Sequence, residues 1–184
     1  MRTSATPNPA LQRTAPGVTA CAVLFAAMLG LGGCYDFESP LDATPQIPRD
    51  EALVGRWRCL PAEPRPADLP VTIGISPAGD REYAVTLADD GKPPEHFSGY
   101  SSAVSGSTVL NLRKPDSDSA NRTWRLVRYS FLLPDVVRFE LVNEKPFRSV
   151  EGSPTALRSE LERLARQPGV YEDLGICLRI VKEN

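Results

Sequence analysis

Between residues 52 and 181 the sequence returns again and again to short runs in which apolar and polar side chains alternate. Successive side chains leave a β-strand on opposite faces, so such a run gathers its apolar groups on one side. The alternation is clearest in Tyr83/Val85/Leu87, in Val137/Phe139/Leu141 and in Ile176/Leu178/Ile180. Eight strands follow from it, at 52–59, 70–76, 82–88, 96–102, 107–113, 122–132, 136–142 and 175–181. Turn-forming residues separate several of them: Pro77-Ala78-Gly79-Asp80, Asp90-Gly91, Ser105-Gly106 and Pro134-Asp135. Eight short one-faced strands in sequence predict a mainly β fold, an antiparallel barrel that buries its apolar face and leaves no open edge.

One helix interrupts the series before the last strand. Ser153 supplies a capping hydroxyl and Pro154 a preset first helical residue. Leu157, Leu161 and Leu164 fall on one face, Glu162 and Arg166 are spaced to pair on another, and Pro168-Gly169 ends the run. The apolar stripe is narrow, so the helix is expected to lie on the sheet rather than inside it.

The first 34 residues are of a different kind. Their only charged side chains are Arg2 and Arg13, and the apolar run at 18–31 is followed by small residues. That is the pattern of a secretory signal. A helix over 18–31 would be about 21 Å long, short of the roughly 30 Å hydrocarbon core. Leu31-Gly32-Gly33-Cys34 resembles the lipobox of bacterial lipoproteins, with an aliphatic residue, two small residues and the obligatory cysteine. The resemblance implies cleavage before Cys34 and lipid on its thiol. Two or more acyl chains hold a protein stably at a membrane where one does so only marginally. An uncleaved membrane helix and ordinary cleavage without lipidation are the alternatives, and all three readings export the domain beyond residue 34. The expected division is a signal peptide at 1–33, a lipidated N-terminus and flexible linker at 34–50, and the barrel domain at 51–184. Pro40, Pro45 and Pro48 suggest the linker, which as a free tether would reach about 20–24 Å.

Removal of the signal takes two of the 21 basic residues and none of the 23 acidic ones, leaving a charge of −4. That argues against a nucleic-acid partner. Of four cysteines, Cys21 leaves with the signal and Cys34 is taken by lipid. Cys59 and Cys177 remain, a disulfide candidate in an oxidising compartment. Closure of a barrel would bring their strands together; two unrelated buried thiols are the alternative.

Gly55-Arg56-Trp57 resembles the Gly-x-Trp motif on the first strand of lipocalins. The resemblance implies an arginine from the last strand stacked on that tryptophan, a place that Arg179 matches, and a lipocalin-like barrel whose other end binds a small apolar ligand. The family's Thr-Asp-Tyr motif is absent, and the helix here precedes the last strand. The similarity is therefore one of architecture.

Little in the chain points to chemistry. His96 is the only histidine and has no partner at a recognisable spacing, so it reads as an exposed residue at the start of a strand. Asp116-x-Asp118-x-x-Asn121 resembles part of a calcium loop, but the glycine is missing and Val127 stands where the bidentate glutamate belongs. No metal, cofactor or catalytic residue is expected. Trp57, Tyr83, Phe97, Trp124, Tyr129, Phe131 and Phe139 either line a cavity or fill a core. The sequence thus predicts a lipid-anchored envelope domain that binds a small apolar ligand or an envelope protein, with a filled, ligand-free interaction protein as the alternative and an enzyme as the remote third.

Overall fold

The computed structural model describes residues 36–62, 70–88, 93–115, 123–150 and 152–180. The signal-like run and Cys34 lie outside the described residues, as do Asp116, Asp118 and Asn121. Eight strands, β1 (Gly55–Pro61), β2 (Val71–Pro77), β3 (Glu82–Ala88), β4 (Glu95–Val104), β5 (Ser107–Arg113), β6 (Arg125–Leu133), β7 (Val136–Val142) and β8 (Tyr171–Arg179), pair in chain order into a closed barrel. Every neighbouring pair is antiparallel, including the closing pair of β1 and β8. The helix α1 (Pro154–Leu164) lies between β7 and β8 and is capped by the Ser153 hydroxyl, which accepts from Ala156 N–H.

Alternation becomes an inner face at each strand. Trp57, Ile75, Tyr83, Val85, Phe97, Leu110, Val127, Tyr129, Val137 and Phe139 form one buried cluster inside the wall. Cross-strand registers such as Tyr129 with Phe139 and Val137 with Cys177 hold these side chains level around the barrel. Toward the end where β6 begins, Ile73, Leu87, Leu112 and Leu141 are only partly buried.

The last strand departs from expectation. It runs 171–179, not 175–181, and its inner face carries Gly175 and Cys177 rather than Ile176 and Leu178. Leu178 is 50% exposed and points outward. The register decides the matter, because Cys177 stands opposite both Val137 and Cys59 on the inner face. Gly175 also marks a close approach at this seam: its φ is +131°, and a Cβ there would come within 2.0 Å of the Leu60 carbonyl oxygen.

A second buried cluster lies outside the wall. Val104, Val109, Leu126 and Val142 project outward from β4 to β7 and meet Leu157, Leu161 and Leu164 of α1, together with Phe147 and Val170. Phe37 and Leu41 complete this layer, each only 1% exposed. From residue 36 onward the expected flexible linker is therefore part of the fold. Phe37 exchanges two backbone hydrogen bonds with Trp124, at 2.7 and 2.8 Å. Leu41 N–H donates to Asn111 Oδ1 at 2.8 Å. Asp50 N–H donates to the Tyr83 hydroxyl at 2.7 Å. The prolines of this segment fix an extended backbone that suits a strap as well as a tether. The strap starts beside the beginning of β6 and finishes at the opposite end, where Asp50 caps a 3-10 turn at Glu51–Leu53 and β1 begins.

Candidate functional site

The end of the barrel where β1 starts is plugged. Trp57 is fully buried, and its ring nitrogen donates to the Leu53 carbonyl at 2.9 Å. The Arg179 guanidinium lies 4.2 Å from the centre of the Trp57 ring. It also donates to the carbonyls of Val54 and Ala52 and to Asp135 Oδ1, so one cation ties together the plug, the start of β1 and the β6–β7 turn. Gly55 makes room for it: φ is +148°, and a Cβ would sit 2.7 Å from Arg179 Nη1. Glycine, tryptophan and distant arginine thus form one structural unit. Its role is to close the barrel.

Cys59 and Cys177 form a disulfide between directly opposed residues of β1 and β8. Cys59 lies within β1, and the two side chains share the inner face because Ile176 and Leu178 point out. The bond spans 118 residues. In the chain-entropy view such a link removes about 5 kcal/mol of freedom from the unfolded chain.

An open cleft of about 550 Å³ lies at the same plugged end, lined by Asp50, Thr108, Tyr129, Phe131, Arg138 and Glu140 among others. Several polar groups in and beside it are committed to one another, while Arg138 Nε is buried without a hydrogen-bond partner among the described residues. Tyr129 donates to Asp50 Oδ2 at 3.0 Å, and Ser101 donates to the Tyr83 hydroxyl. Burial raises the pKa of Tyr83 and, further, that of Tyr129, with the nearby Asp50 carboxylate adding to both. Phenols held neutral in this way do not act as bases at ordinary pH. Arg128 makes a two-pronged ion pair with Glu140, at 2.6 and 2.8 Å, and lies 3.5 Å from the Tyr171 ring centre. The cleft therefore offers structure more than reactive groups.

The remaining sequence-derived residues are dispersed. His96 is exposed on β4, with Nδ1 3.2 Å from the Thr86 hydroxyl. Among the described residues no three histidine, cysteine or acidic side chains group as metal ligands. Val127 is buried in the barrel. Of the seven aromatics expected in a cavity or core, Trp57, Tyr83, Phe97, Tyr129 and Phe139 belong to the buried inner cluster and Phe131 packs against them. Trp124 belongs to the outer layer.

Two features escaped the sequence reading. One is a buried polar cluster on the outer wall. Arg158 of α1 grips both carboxylate oxygens of Asp42 at 2.7 Å. Ser102 donates to the same carboxylate, Asn111 donates to Ser102 and to the Tyr100 carbonyl, and the Tyr100 hydroxyl donates to the Asp42 carbonyl. Its one signal was an asparagine in mid-strand, a poor strand former without a partner. The other is an uncovered apolar wall, where Leu60, Leu174 and Leu178 of β1 and β8 are 43–53% exposed.

Comparison of the chain with protein-family models, with curated proteins and with solved structures finds no match in any of the three.

Proposed function

We propose that the chain is the precursor of a lipid-anchored cell-envelope protein, cleaved before Cys34, whose barrel serves as a binding or accessory domain through its surface. The observation that carries the anchor is the lipobox-like Leu31-Gly32-Gly33-Cys34, which ends the uncharged apolar run. The Cys59–Cys177 disulfide agrees with an oxidising compartment such as the periplasm. Tyr35, not aspartate, follows the cysteine, which favours the outer over the inner membrane in a Gram-negative host.

A partner at the surface is favoured over a small ligand inside, because ten inward side chains are buried together in one cluster and Trp57 and Arg179 plug one end of the barrel. Apolar side chains that stay uncovered on a folded surface commonly mark a protein contact, and β8 presents Leu174 and Leu178 in this way. An envelope protein is therefore the proposed partner, and no enzymatic role or cofactor is assigned.

Two measurements test this reading. Cys34→Ser is expected to abolish incorporation of a radiolabelled fatty acid; label retained by the variant would contradict lipidation at that residue. Native mass spectrometry of the delipidated domain, purified from its host, is expected to show the polypeptide free of small apolar molecules. A stoichiometric apolar adduct would overturn surface binding in favour of the lipocalin-like reading.

A further inference from the structure

We infer that the end of the barrel at which β6 begins is held against the lipid headgroups of the membrane, with the plugged end facing away. The inference rests on the lipidation of Cys34 proposed above. Its new element is the length of the tether. Only Tyr35 stands between Cys34 and Asp36. Asp36 is already fixed: its carboxylate pairs with Arg125 Nε at 3.2 Å, at the first residue of β6. Phe37 is locked by its two backbone hydrogen bonds to Trp124 and by its burial. Two extended residues span about 7 Å, so the acylated thiol stays within about one headgroup's depth of this end of the barrel.

A flexible 16-residue linker would have let the domain rotate freely at a reach of about 20–24 Å. The strap forbids that, because it is welded along the outer wall from Phe37 to Asp50. The side chains at the tethered end suit a headgroup layer. Trp124 is partly buried, with the Arg113 guanidinium 5.2 Å from its ring centre, and Arg125 and Lys114 lie near the Phe97 ring. Tryptophan and basic side chains favour the membrane–water interface. The same end carries the partly buried Ile73, Leu87, Leu112 and Leu141. The leucine wall of β1 and β8 runs along the side of the barrel and stays open to other proteins.

The chain's two tryptophans provide the test, since Trp124 sits at the tethered end and Trp57 is sealed at the other. The acylated mature protein would be placed in phosphatidylcholine–phosphatidylglycerol vesicles containing a phosphatidylcholine with a nitroxide on its headgroup. Wild type is expected to lose about half of its tryptophan emission, the share of one of two tryptophans. Trp124→Phe should show little quenching. A glycine-serine insert of about sixteen residues between Tyr35 and Asp36, with a reach of about 20–24 Å, should relieve most of it. Vesicle-bound wild type without quenching would overturn the inference, and so would quenching that survives Trp124→Phe. Equal quenching with the insert would show that the short tether is not what holds this end down. Intact mass separates the anchor from the orientation. A protein without acyl chains that fails to float with vesicles refutes the anchor itself, whereas an acylated, floating protein that is not quenched refutes only the orientation.

Discussion

The inside of the barrel and the layer outside its wall are both buried, yet they are held by different means. Inside, each strand contributes alternate residues, backbone ladders close the ring, and a disulfide and an arginine–tryptophan plug secure the seam and one end. Outside, the strap meets two much later pieces on β4 to β7, a 3-10 turn at Lys145–Phe147 and α1. Side-chain hydrogen bonds do there what the ladder does inside, through Asp42, Arg158, Ser102 and Asn111. The contrast teaches that the outer layer can be lost in parts, while the interior should fail as a unit.

The largest effect is expected at the seam. Replacing Cys59 and Cys177 together by alanine should lower stability by about 5 kcal/mol at the chain-entropy limit, read as a fall in the urea midpoint relative to wild type. Wild type treated with reductant should match the variant. In the outer layer, Leu161→Ala opens a cavity under α1 and should cost about 3 kcal/mol. Near-UV circular dichroism from the buried Trp57 should persist at urea concentrations where the helix has already loosened; simultaneous loss would show that the two cores are one cooperative unit. Asn111→Ala leaves the Leu41 amide without its acceptor and should cost about 2 kcal/mol, with faster hydrogen exchange confined to the strap.

The smallest effect is one of pH. Burial first, and the Asp42 carboxylate second, push the Tyr100 pKa up to about 12. An unfolded tyrosine ionises near pH 10, so the folded state holds this proton more tightly. Stability from Tyr100 is complete below about pH 10 and drains away as pH rises toward 12. Tyr100→Phe should flatten that part of the alkaline loss, measured as the urea midpoint between pH 9 and 12. The slope left by Tyr83 and Tyr129 belongs to the interior.

Much of the interior was legible because a strand period of two is a strong signal. The strands at 82–88, 107–113 and 136–142 have the expected bounds, and the Trp57–Arg179 contact has the place that the lipocalin resemblance implied. The last strand misled for a physical reason. Alternation shows that two faces differ but not which one is buried, and β8 leaves leucines on its bare outer side while glycine and cysteine face in. Cys177 held the answer, since only an inward cysteine can meet Cys59 from the face of Trp57. The strap was illegible because Phe37 and Leu41 carry no period. Two apolar residues among prolines and acids read as a solvated linker until α1 and the wall of β4 to β7 are present to receive them. The polar cluster was hidden likewise, as Asp42 and Arg158 are 116 residues apart.

The strap, which the sequence suggests is a flexible linker, is fixed to the barrel by the amides of Phe37, Leu41 and Asp50. Hydrogen–deuterium exchange tests this. The amides of Phe37, Leu41 and Asp50, each of which donates a hydrogen bond to the barrel, should exchange orders of magnitude more slowly than in an unstructured chain, comparably to amides of β5 and β6. Exchange of these three at the unstructured rate, with the barrel strands still protected, would contradict it.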